Sequence, residues 1–379
     1  MADHRLGAVI LAAGRSRRQK GFKPLLPLGQ SSVLDCCLNL FQQAGITGPR
    51  KVVVLGHRSE ELRPLVIAAG ATPVVNADYD RGMFSSVQAG VNALPASINA
   101  FFVLPVDIPL VRHLTIQLLS QALSDHDQAQ VLLPNCADRT GHPPLLRAGL
   151  RAAIADHDGS RGLRGVLDRA ACVQIPVPDE GMLVDIDRPE DYQRAVELWH
   201  RASLPSPTEA EVLLDLQCAD TPDVQAHCRT VARIAARLAK GIMHGSPDQA
   251  LDQELIVSAA LLHDIAKGQP NHAAAGASRL TAMGFDDRLA AIVASHADCD
   301  PSPGTTISET EVVCLADKLV QGSRLVDLQD RFQASLERFS NNPEAIQAVH
   351  RRWRQARSIA ERIEQACGHT ISALLSGPA

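Results

Sequence analysis

The spacing of apolar residues changes once along this 379-residue chain, and this change constrains the fold most. Up to about Trp199, short β-rich runs alternate with stretches of helical period, which predicts an α/β domain with a doubly wound, mostly parallel sheet. Beyond Trp199 the pattern is helical to the end, with no alternation of the β type, so we expect an all-α domain. The predicted strands are 8–13, 51–56, 72–76, 101–106, 130–134 and 173–177, and the predicted helices include 33–44, 59–69 and 85–94.

The boundary between the two domains is predicted by the segment that follows Trp199. Pro205 and Pro207 interrupt any continuing helix. Ser206 can cap the next helix, Pro207 suits its first position, and Glu209 completes a capping box. We therefore predict a first domain at 1–200, a linker at 201–207 and a second domain at 208–379.

Composition excludes several classes of partner. The net charge of −5 argues against a general affinity for nucleic acid or for anionic membranes. No apolar run reaches the roughly 18 residues of a membrane span, and no leader of signal-peptide type is recognised. The nine cysteines lack the paired spacing of a zinc ribbon, which fits reduced thiols. We expect a cytoplasmic protein with no nucleic-acid or membrane partner.

A basic loop follows the first predicted strand. Five cations lie between Arg15 and Lys23, at the carboxyl end of the strand, where open parallel sheets bind ligands. The glycine spacing matches neither a Walker loop nor a dinucleotide-binding fingerprint. Backbone amides near Gly14, together with Arg18 and Lys23, could bind a triphosphate. The alternative is a solvated basic loop.

Five ordered motifs carry a resemblance over the first domain. Residues 11–14 (LAAG), followed by Ser16, Arg18, Lys23 and the LLP of residues 25–27, resemble the signature loop of MobA-like nucleotidyltransferases, in the molybdenum cofactor cytidylyltransferase branch. The other four motifs are GMFSSVQAG (82–90), LPVDIPLV (104–111), GHPPLL (141–146) and DIDRPEDY (185–192). The resemblance implies Mg²⁺-dependent transfer of CMP from CTP to molybdenum-loaded molybdopterin, with release of pyrophosphate.

Carboxylates of this domain are candidate Mg²⁺ ligands. Asp107 directly follows the very apolar run 101–106, so its carboxylate should project at the carboxyl edge of the sheet, near the basic loop. The resemblance supplies Asp187 as the second ligand, with Asp185 next in line. The alternatives are a turn-capping role for Asp107 and a helix N-cap role for Asp187. Arg18 and Lys23 join Asp107 as the expected catalytic residues.

Nucleotide choice and acceptor binding are also implied by the resemblance. The methyl group of Ala13, where guanylyl enzymes tend to have glycine, narrows the base site and favours CTP. Gly82 and Ser85 could instead form a turn and a helix cap. Two departures affect the loop: Gln19-Lys20 replaces the usual Met-Gly, and Arg188 replaces threonine. The expected nucleotide-binding residues are Leu11, Ala12, Ala13, Gly14, Arg18, Lys23, Gly82, Ser85, Ser86 and Asp107, and the expected acceptor-binding residues are Gly141, His142 and Pro143.

The second domain has its own constellation of histidines and aspartates. LLHDIAKG (261–268), LADKL (315–319) and three separate histidines resemble the HD phosphohydrolase superfamily over residues 208–339. On a helix, adjacent His263 and Asp264 point about 100° apart, so other helices must complete a metal site. Lys267, at i+4 from His263, could meet a substrate phosphate, and Asp264 and Lys267 are the expected catalytic residues. The expected metal ligands are His227, His263, Asp264, His272, His296 and Asp317.

The metal and the role of the HD domain stay open at this point. Mixed imidazole and carboxylate ligands suit Mn²⁺, Fe, Ni²⁺ or Zn²⁺, and HD proteins with this fuller set hold two metals that share the aspartate. The domain could hydrolyse a phosphate ester or nucleotide. Alternatively, it could sense nucleotides or contact a molybdoenzyme that receives the cofactor. For the first domain, another NTP or another small phosphorylated acceptor is the alternative.

Overall fold

The computed structural model describes residues 5–302, 304 and 306–376. The chain divides into two compact units between Ala202 and Ser203, and residues 201–207, predicted as the linker, span this division. The predicted domain ends at residues 1 and 379 lie outside the described residues. Among the described residues, no helix has both the length and the apolar character needed to cross a bilayer.

The first unit is built on a twisted, mostly parallel sheet. The strand order along its main path is β10-β7-β9-β6-β1-β4-β5, and β8 pairs with β7. Every neighbouring pair on the main path is parallel except those made by β9, which runs antiparallel to both β6 and β7. The strands are Leu6–Ala12 (β1), Pro27–Leu28 (β2), Ser31–Ser32 (β3), Gly48–Leu55 (β4), Ala71–Val75 (β5), Ala100–Pro105 (β6), Val131–Cys136 (β7), Arg139–Thr140 (β8), Leu145–Arg147 (β9) and Cys172–Pro176 (β10).

Helices connect these strands because apolar residues of helical period give each connection a face to bury. In α1, for example, Ser32 accepts a hydrogen bond from the Asp35 amide and Asp35 caps the Ser32 amide in return, so the helix begins at Val33. The helices of this unit are Val33–Gln43 (α1), Ser59–Ala68 (α2), Met83–Ala93 (α3), His113–Ala122 (α4), Arg151–Asp156 (α5), Leu163–Leu167 (α6) and Pro189–His200 (α7).

The second unit is helical. Its first helix begins at Pro207 with the predicted capping box, since Ser206 and Glu209 cap each other's backbone amides. The helices are Pro207–Gln217 (α8), Pro222–Gly245 (α9), Gln253–Leu262 (α10), His272–Ala282 (α11), Asp287–Ser295 (α12), Glu309–Lys318 (α13), Leu328–Arg338 (α14), Pro343–Cys367 (α15) and Ile371–Ser376 (α16). The predicted fold class, a doubly wound sheet followed by a helical domain, is thus confirmed.

Two local expectations are corrected. The second unit is not free of strands, because Val320–Gln321 (β11) and Arg324–Leu325 (β12) pair in an antiparallel hairpin between α13 and α14. The helix that leads to the HD pair does not continue to Gly268. It ends at Leu262, and residues 263–268 form turns.

Candidate active sites

The basic loop lies at the point where the sheet reverses its strand order. β1 has β4 on one side and β6 on the other, so the loop after β1 and the residues after β6 leave the sheet side by side. Such a switch point at the carboxyl ends of parallel strands is the ligand site of open α/β sheets. Ser16 adopts a positive φ of 52° in the loop, and its hydroxyl accepts a hydrogen bond from the amide of Lys23 at 3.0 Å.

Lys23 is the centre of an ion-pair network at this switch point. Its Nζ donates to Asp107 Oδ2 at 3.0 Å and to Asp187 Oδ1 at 2.5 Å, although the residue is only 8% exposed. Arg18 Nη1 donates to the other oxygen of Asp187 at 2.7 Å. Burial lowers the pKa of Lys23, but the two carboxylates outweigh it and raise that pKa overall. The ammonium therefore stays charged between the carboxylates.

A third carboxylate completes the acidic group. Ligand oxygens of Asp107, Asp185 and Asp187 lie within 4.8 Å of one another. Partial burial, together with the negative charges of Asp107 and Asp187, raises the pKa of Asp185 to about 6. Hydrogen bonding from Lys23 lowers the pKa of Asp187. An all-oxygen donor set with excess negative charge fits a hard divalent cation such as Mg²⁺.

Two adjoining cavities meet at this network. One, of about 270 Å³, has a mainly apolar wall that includes Leu11, Ala13 and Met83. The other, of about 360 Å³, is lined by the arginines of the basic loop and by Asp187. The cavities share lining residues, so a ligand could place an apolar part in the first and phosphates in the second. The residues shared are Gly14, Ser16, Lys23 and Tyr79.

Eight of the ten predicted nucleotide-binding residues line these cavities. The other two, and the three predicted acceptor-binding residues, do not. Ser85 is bonded within the protein: its hydroxyl donates to the carbonyl of Gly82 at 2.8 Å, and it accepts from Asn76 Nδ2 at 2.9 Å. Gly82, Ser85 and residues 141–143 are absent from the described residues that line either cavity. Burial lowers the pKa of His142, and the Asp107 charge opposes that shift. Tyr79 and Met83 line the first cavity and were missed, although an aromatic residue just before the GMFSS motif was a usable signal.

The two departures in the loop are accommodated without strain at Lys20. Neither Lys20 nor Gly21 takes a positive φ. The side chain of Gln19 instead donates to the backbone carbonyl of Arg188 at 2.6 Å, which ties the loop to the segment that carries Asp187. Arg188 occupies the N-cap position of α7, and its amide donates to the Asp191 carboxylate at 2.8 Å. Asp187 is therefore not the N-cap of this helix.

The second unit brings its six predicted ligands to one place. His227 lies on α9 and Asp317 on α13, while His263 and His296 are the C-terminal caps of α10 and α12. His272 begins α11. Ligand atoms of His227, His263 and Asp317 lie within 4.8 Å of one another, as do those of His263, Asp264 and His296. Five helices thus converge on a cluster with two overlapping ligand groups.

Backbone carbonyls orient three of the imidazoles. Nδ1 of His263 lies 2.7 Å from the carbonyl of Ala260, and Nδ1 of His296 lies 2.7 Å from that of Val293. Nδ1 of His227 lies 2.8 Å from the carbonyl of Gly322. A carbonyl only accepts, so each Nδ1 carries the proton. Nε2 of His263 then presents a lone pair to the cluster, whereas Nε2 of His227 lies 3.2 Å from Asp317 Oδ1. Burial lowers the pKa of His263 to about 4, which keeps that ring neutral at pH 7.

Asp264 is shared between the two ligand groups. Its Oδ1 lies 3.1 Å from His272 Nε2 and 3.6 Å from His296 Nε2, while its Oδ2 lies 3.6 Å from His263 Nε2. Among the described residues, three buried atoms here have no hydrogen-bond partner: His263 Nε2, Asp264 Oδ1 and His272 Nε2. Buried lone pairs without donors are costly, and metal ions satisfy them. The donor set therefore fits one or two transition metal ions.

Each aspartate of the cluster also accepts a hydrogen bond from a lysine. Lys267 Nζ donates to Asp264 Oδ2 at 2.8 Å, and Lys318 Nζ donates to Asp317 Oδ2 at 2.7 Å. The expected placement of Lys267 on the face of His263 is wrong, because the helix ends earlier and Lys267 pairs with Asp264 instead. Burial alone would raise the pKa of Asp264, but His296, His263 and Lys267 outweigh it and lower that pKa.

Comparisons with known proteins follow the same division. The profile described as "MobA-like NTP transferase domain" matches residues 8–174, and the "HD domain" profile matches residues 224–322. The molybdenum cofactor cytidylyltransferase of Escherichia coli is 27% identical over 194 residues, 51% of this chain and 96% of that protein. Nicotine blue oxidoreductase of Paenarthrobacter nicotinovorans is 33% identical over 202 residues, 49% of this chain and 94% of that protein.

A longer relative matches through one part only. Bifunctional protein GlmU of Corynebacterium aurimucosum is 31% identical over 170 residues, which are 42% of this chain and 34% of that protein. This chain therefore spans about a third of the length of that relative. The fold, the site and these matches define the class of the first unit as a MobA-like NTP transferase domain. The chain belongs to the MobA-like NTP transferase family, and it carries an HD domain after the transferase domain.

Proposed function

We propose that the first unit transfers CMP from CTP to molybdenum-loaded molybdopterin, giving molybdopterin cytosine dinucleotide and pyrophosphate. The observation that carries this proposal is the Lys23 ammonium at the switch point, within 3.0 Å of Asp107 and 2.5 Å of Asp187. The similarity to a molybdenum cofactor cytidylyltransferase supports the choice of acceptor. Gly141, His142 and Pro143 are proposed on the acceptor side from their motif.

In the proposed reaction, these residues position the two substrates and neutralise the charge of their phosphates. A phosphate oxygen of the acceptor forms a bond to the α-phosphorus of CTP, and the bond from that phosphorus to pyrophosphate breaks. Arg18 and Lys23 stabilise the charge on the departing pyrophosphate. Asp107 and Asp187, with Asp185 beside them, would hold Mg²⁺, which supplies further charge neutralisation to the phosphates.

The choice of CTP rests on the size of the apolar cavity. Ala13 lines this cavity of about 270 Å³, so its methyl group fills space beside β1 that a glycine would leave open. A pyrimidine needs less room than a purine, and one methyl group is expected to discriminate by about 1–3 kcal/mol.

Turnover with a panel of nucleotides tests this proposal. Purified protein, Mg²⁺ and molybdenum-loaded molybdopterin are combined with CTP, GTP or ATP, and both pyrophosphate and the dinucleotide product are measured. We expect CTP to be used at least about tenfold better than GTP, and Ala13→Gly to narrow that ratio. Equal use of GTP by the wild type contradicts the role of Ala13. Pyrophosphate release only with a different acceptor or NTP supports the alternative transferase reaction.

For the second unit, we propose metal-dependent hydrolysis of a phosphate ester or nucleotide. His227, His263, Asp264, His272, His296 and Asp317 are the proposed ligands. A pair of ions such as Mn²⁺ or Fe supplies a nucleophile from water at neutral pH and neutralises phosphate charge. Lys267 is proposed to contact the substrate phosphate. Cys36 and Cys37, both buried, are free thiols, and free thiols favour a cytoplasmic location for both proposed reactions.

Metal analysis and a phosphoester panel test the hydrolase proposal. Protein grown with Mn²⁺ and iron is analysed for bound metal and then assayed with several phosphate esters. We expect about two metal ions per chain and measurable release of phosphate. Bound metal without turnover of any ester would favour a nucleotide-sensing role or delivery of the cofactor to a molybdoenzyme. Protein without tightly bound metal would contradict the hydrolase proposal.

A further inference from the structure

The metal-ligand cluster opens into a cavity of about 440 Å³, a size that suits a small-molecule site of roughly 300–1,000 Å³. The ligands of the cluster form one end of it. The opposite side comes from α14 and α15, which lie beyond residues 224–322, the part that matches the HD profile. We call this side the hairpin wall, after the consecutive helices α14 and α15 and not after the β11–β12 hairpin. Its members are Arg331, Phe332, Ser335, Phe339, Val349 and Arg352.

The hairpin wall is supported by a small core of its own. Phe332 is almost fully buried and stacks on Trp353, with ring centroids 6.1 Å apart and an interplanar angle of 12°. Val349 and Ala356 are buried in the same cluster. Packing of this kind fixes side chains in position, so the wall can present a defined surface to a ligand.

Two side chains of the wall can still contact a ligand in the cavity. Phe339 is 38% exposed and lines the cavity, and the Arg338 guanidinium lies over its ring at 5.3 Å from the centroid. The Nε atom of Arg352 is buried and has no hydrogen-bond partner among the described residues. Its nearest carboxylate oxygen, on Asp298, is 3.7 Å away and already accepts from Arg351 at 2.5 Å. Because both residues line this cavity, the Phe339 ring and the Arg352 guanidinium can together hold a planar group with a polar edge.

We infer that the hairpin wall selects the leaving group of the hydrolysed ester. The substrate carries a planar ring that packs against Phe339 and an oxygen or nitrogen acceptor for Arg352, while its phosphate faces the metal ligands. This inference rests on the proposed hydrolysis, in which a water oxygen bonds to phosphorus, the phosphorus–oxygen bond to the leaving group breaks, and that oxygen takes a proton. Nucleoside monophosphates have this form. Sugar phosphates lack the planar base.

A matched pair of esters tests the inference in the full, Mn²⁺-loaded chain. Adenosine 5′-monophosphate and ribose 5-phosphate share the sugar phosphate and differ by the base. We expect kcat/KM to be at least about tenfold higher for the nucleotide, and Phe339→Ala to reduce that value to within about twofold of the ribose 5-phosphate value. Arg352→Gln should act in the same direction. Metal content should not change in either variant.

Two control variants separate ligand binding from general damage. Met243→Ala removes an apolar side chain that is equally exposed, at 39%, but lies 16 residues after His227 on the same helix. Arg357→Gln changes an exposed arginine of α15 that pairs with Glu361 at 3.0 Å. Neither residue lines the cavity, so neither control should alter the ratio of the two kcat/KM values.

The outcomes distinguish the wall from the hydrolysis itself. Hydrolysis of both esters at equal rates, with Phe339→Ala neutral, overturns the selection by the wall and leaves the hydrolase proposal standing. Hydrolysis of neither ester counts against the hydrolase proposal for this class, and calorimetric titration with adenosine then decides about the wall. Adenosine binding that Phe339→Ala abolishes supports the wall, and no adenosine binding to the wild type overturns it.

Discussion

At the candidate transferase site, the acidic side chains carry more negative charge than the neighbouring basic side chains balance. Three carboxylates share one short region, where Lys23 contacts Asp107 and Asp187, and Arg18 contacts Asp187. Partial burial and the negative charges of Asp107 and Asp187 raise the pKa of Asp185 to about 6. A bound cation would remove this imbalance, so the metal-free site is expected to weaken the domain.

Asp185→Asn tests this imbalance. The pKa of Asp185 rises from 3.8 when unfolded to about 6 when folded, so the folded state binds more protons and loses stability as the pH rises through that window. In EDTA at pH 7, the variant should therefore resist urea better than the wild type, and the difference should vanish near pH 4. Equal stability at both pH values would show that Asp185 is not repelled by its neighbours.

His272→Ala tests whether the second unit holds a second ion. His272 Nε2 lies 3.1 Å from Asp264 Oδ1, on the side of Asp264 away from His263. We expect metal content to fall from about two ions per chain to about one, with hydrolysis reduced. His244→Ala, which changes an exposed histidine of α9, is the control and should keep the full metal content. Unchanged content in His272→Ala would make His272 a surface histidine.

At the scale of elements, one close contact fixes helix α3 of the candidate nucleotide site against the sheet. Helix α3 packs on β1 and β4 through Gly90, where a Cβ atom would lie 2.8 Å from Val54 Cγ2 and still closer to Val9. This glycine ends the GMFSSVQAG motif, so its close approach sets how near Met83 and Ser86 lie to the sheet. The motif therefore contributes packing between α3 and the sheet.

Gly90→Ala should push α3 away from the sheet. Overpacking of this kind typically costs about 1–3 kcal/mol, and we expect a loss of that size in the free energy of unfolding. Gly149→Ala is the matched control, because its added Cβ would meet nothing within 4 Å. Chemical denaturation of both variants measures the difference. If Gly90→Ala is as stable as Gly149→Ala, α3 does not depend on this contact.

The sequence predicts some elements better than others for physical reasons. Each long strand is an apolar run, and the predicted bounds agree with the structure within three residues, as for 72–76 against Ala71–Val75. The strand Leu145–Arg147 was missed because three residues after two prolines show no period. The early end of α10 was missed because the apolar pattern continues through Ile265 and Ala266.

The ligand sets of both sites could be proposed from motif and residue type, but their surroundings could not. Asp107 and Lys23 are 84 positions apart, and only the strand order makes their motifs neighbours. The hairpin wall lies on two amphipathic helices whose periodicity shows an apolar face without showing which cavity it borders. Residues such as Phe339 and Arg352 therefore required the structure.

For the whole molecule, the candidate sites lie in separate compact units. The two candidate sites share no ligand residue and lie in different units. We therefore expect a substitution at one site to leave the activity of the other unchanged. Asp264→Ala should remove bound metal and phosphoester hydrolysis while transfer of CMP continues at nearly the wild-type rate. Loss of both activities would show that the two sites are coupled.

The most direct test of the transferase account is the rate at which Asp107→Ala releases pyrophosphate from CTP in the presence of Mg²⁺ and molybdenum-loaded molybdopterin. Phosphoester hydrolysis by the same preparation reports that the second unit is folded, and a wild-type far-UV circular dichroism spectrum reports that the sheet of the first unit is. We predict that this variant loses nearly all transfer and keeps hydrolysis. A residual transfer rate above about a tenth of the wild-type rate, less than about 1.4 kcal/mol of barrier, would contradict a Mg²⁺-binding role for Asp107 and with it the proposed site.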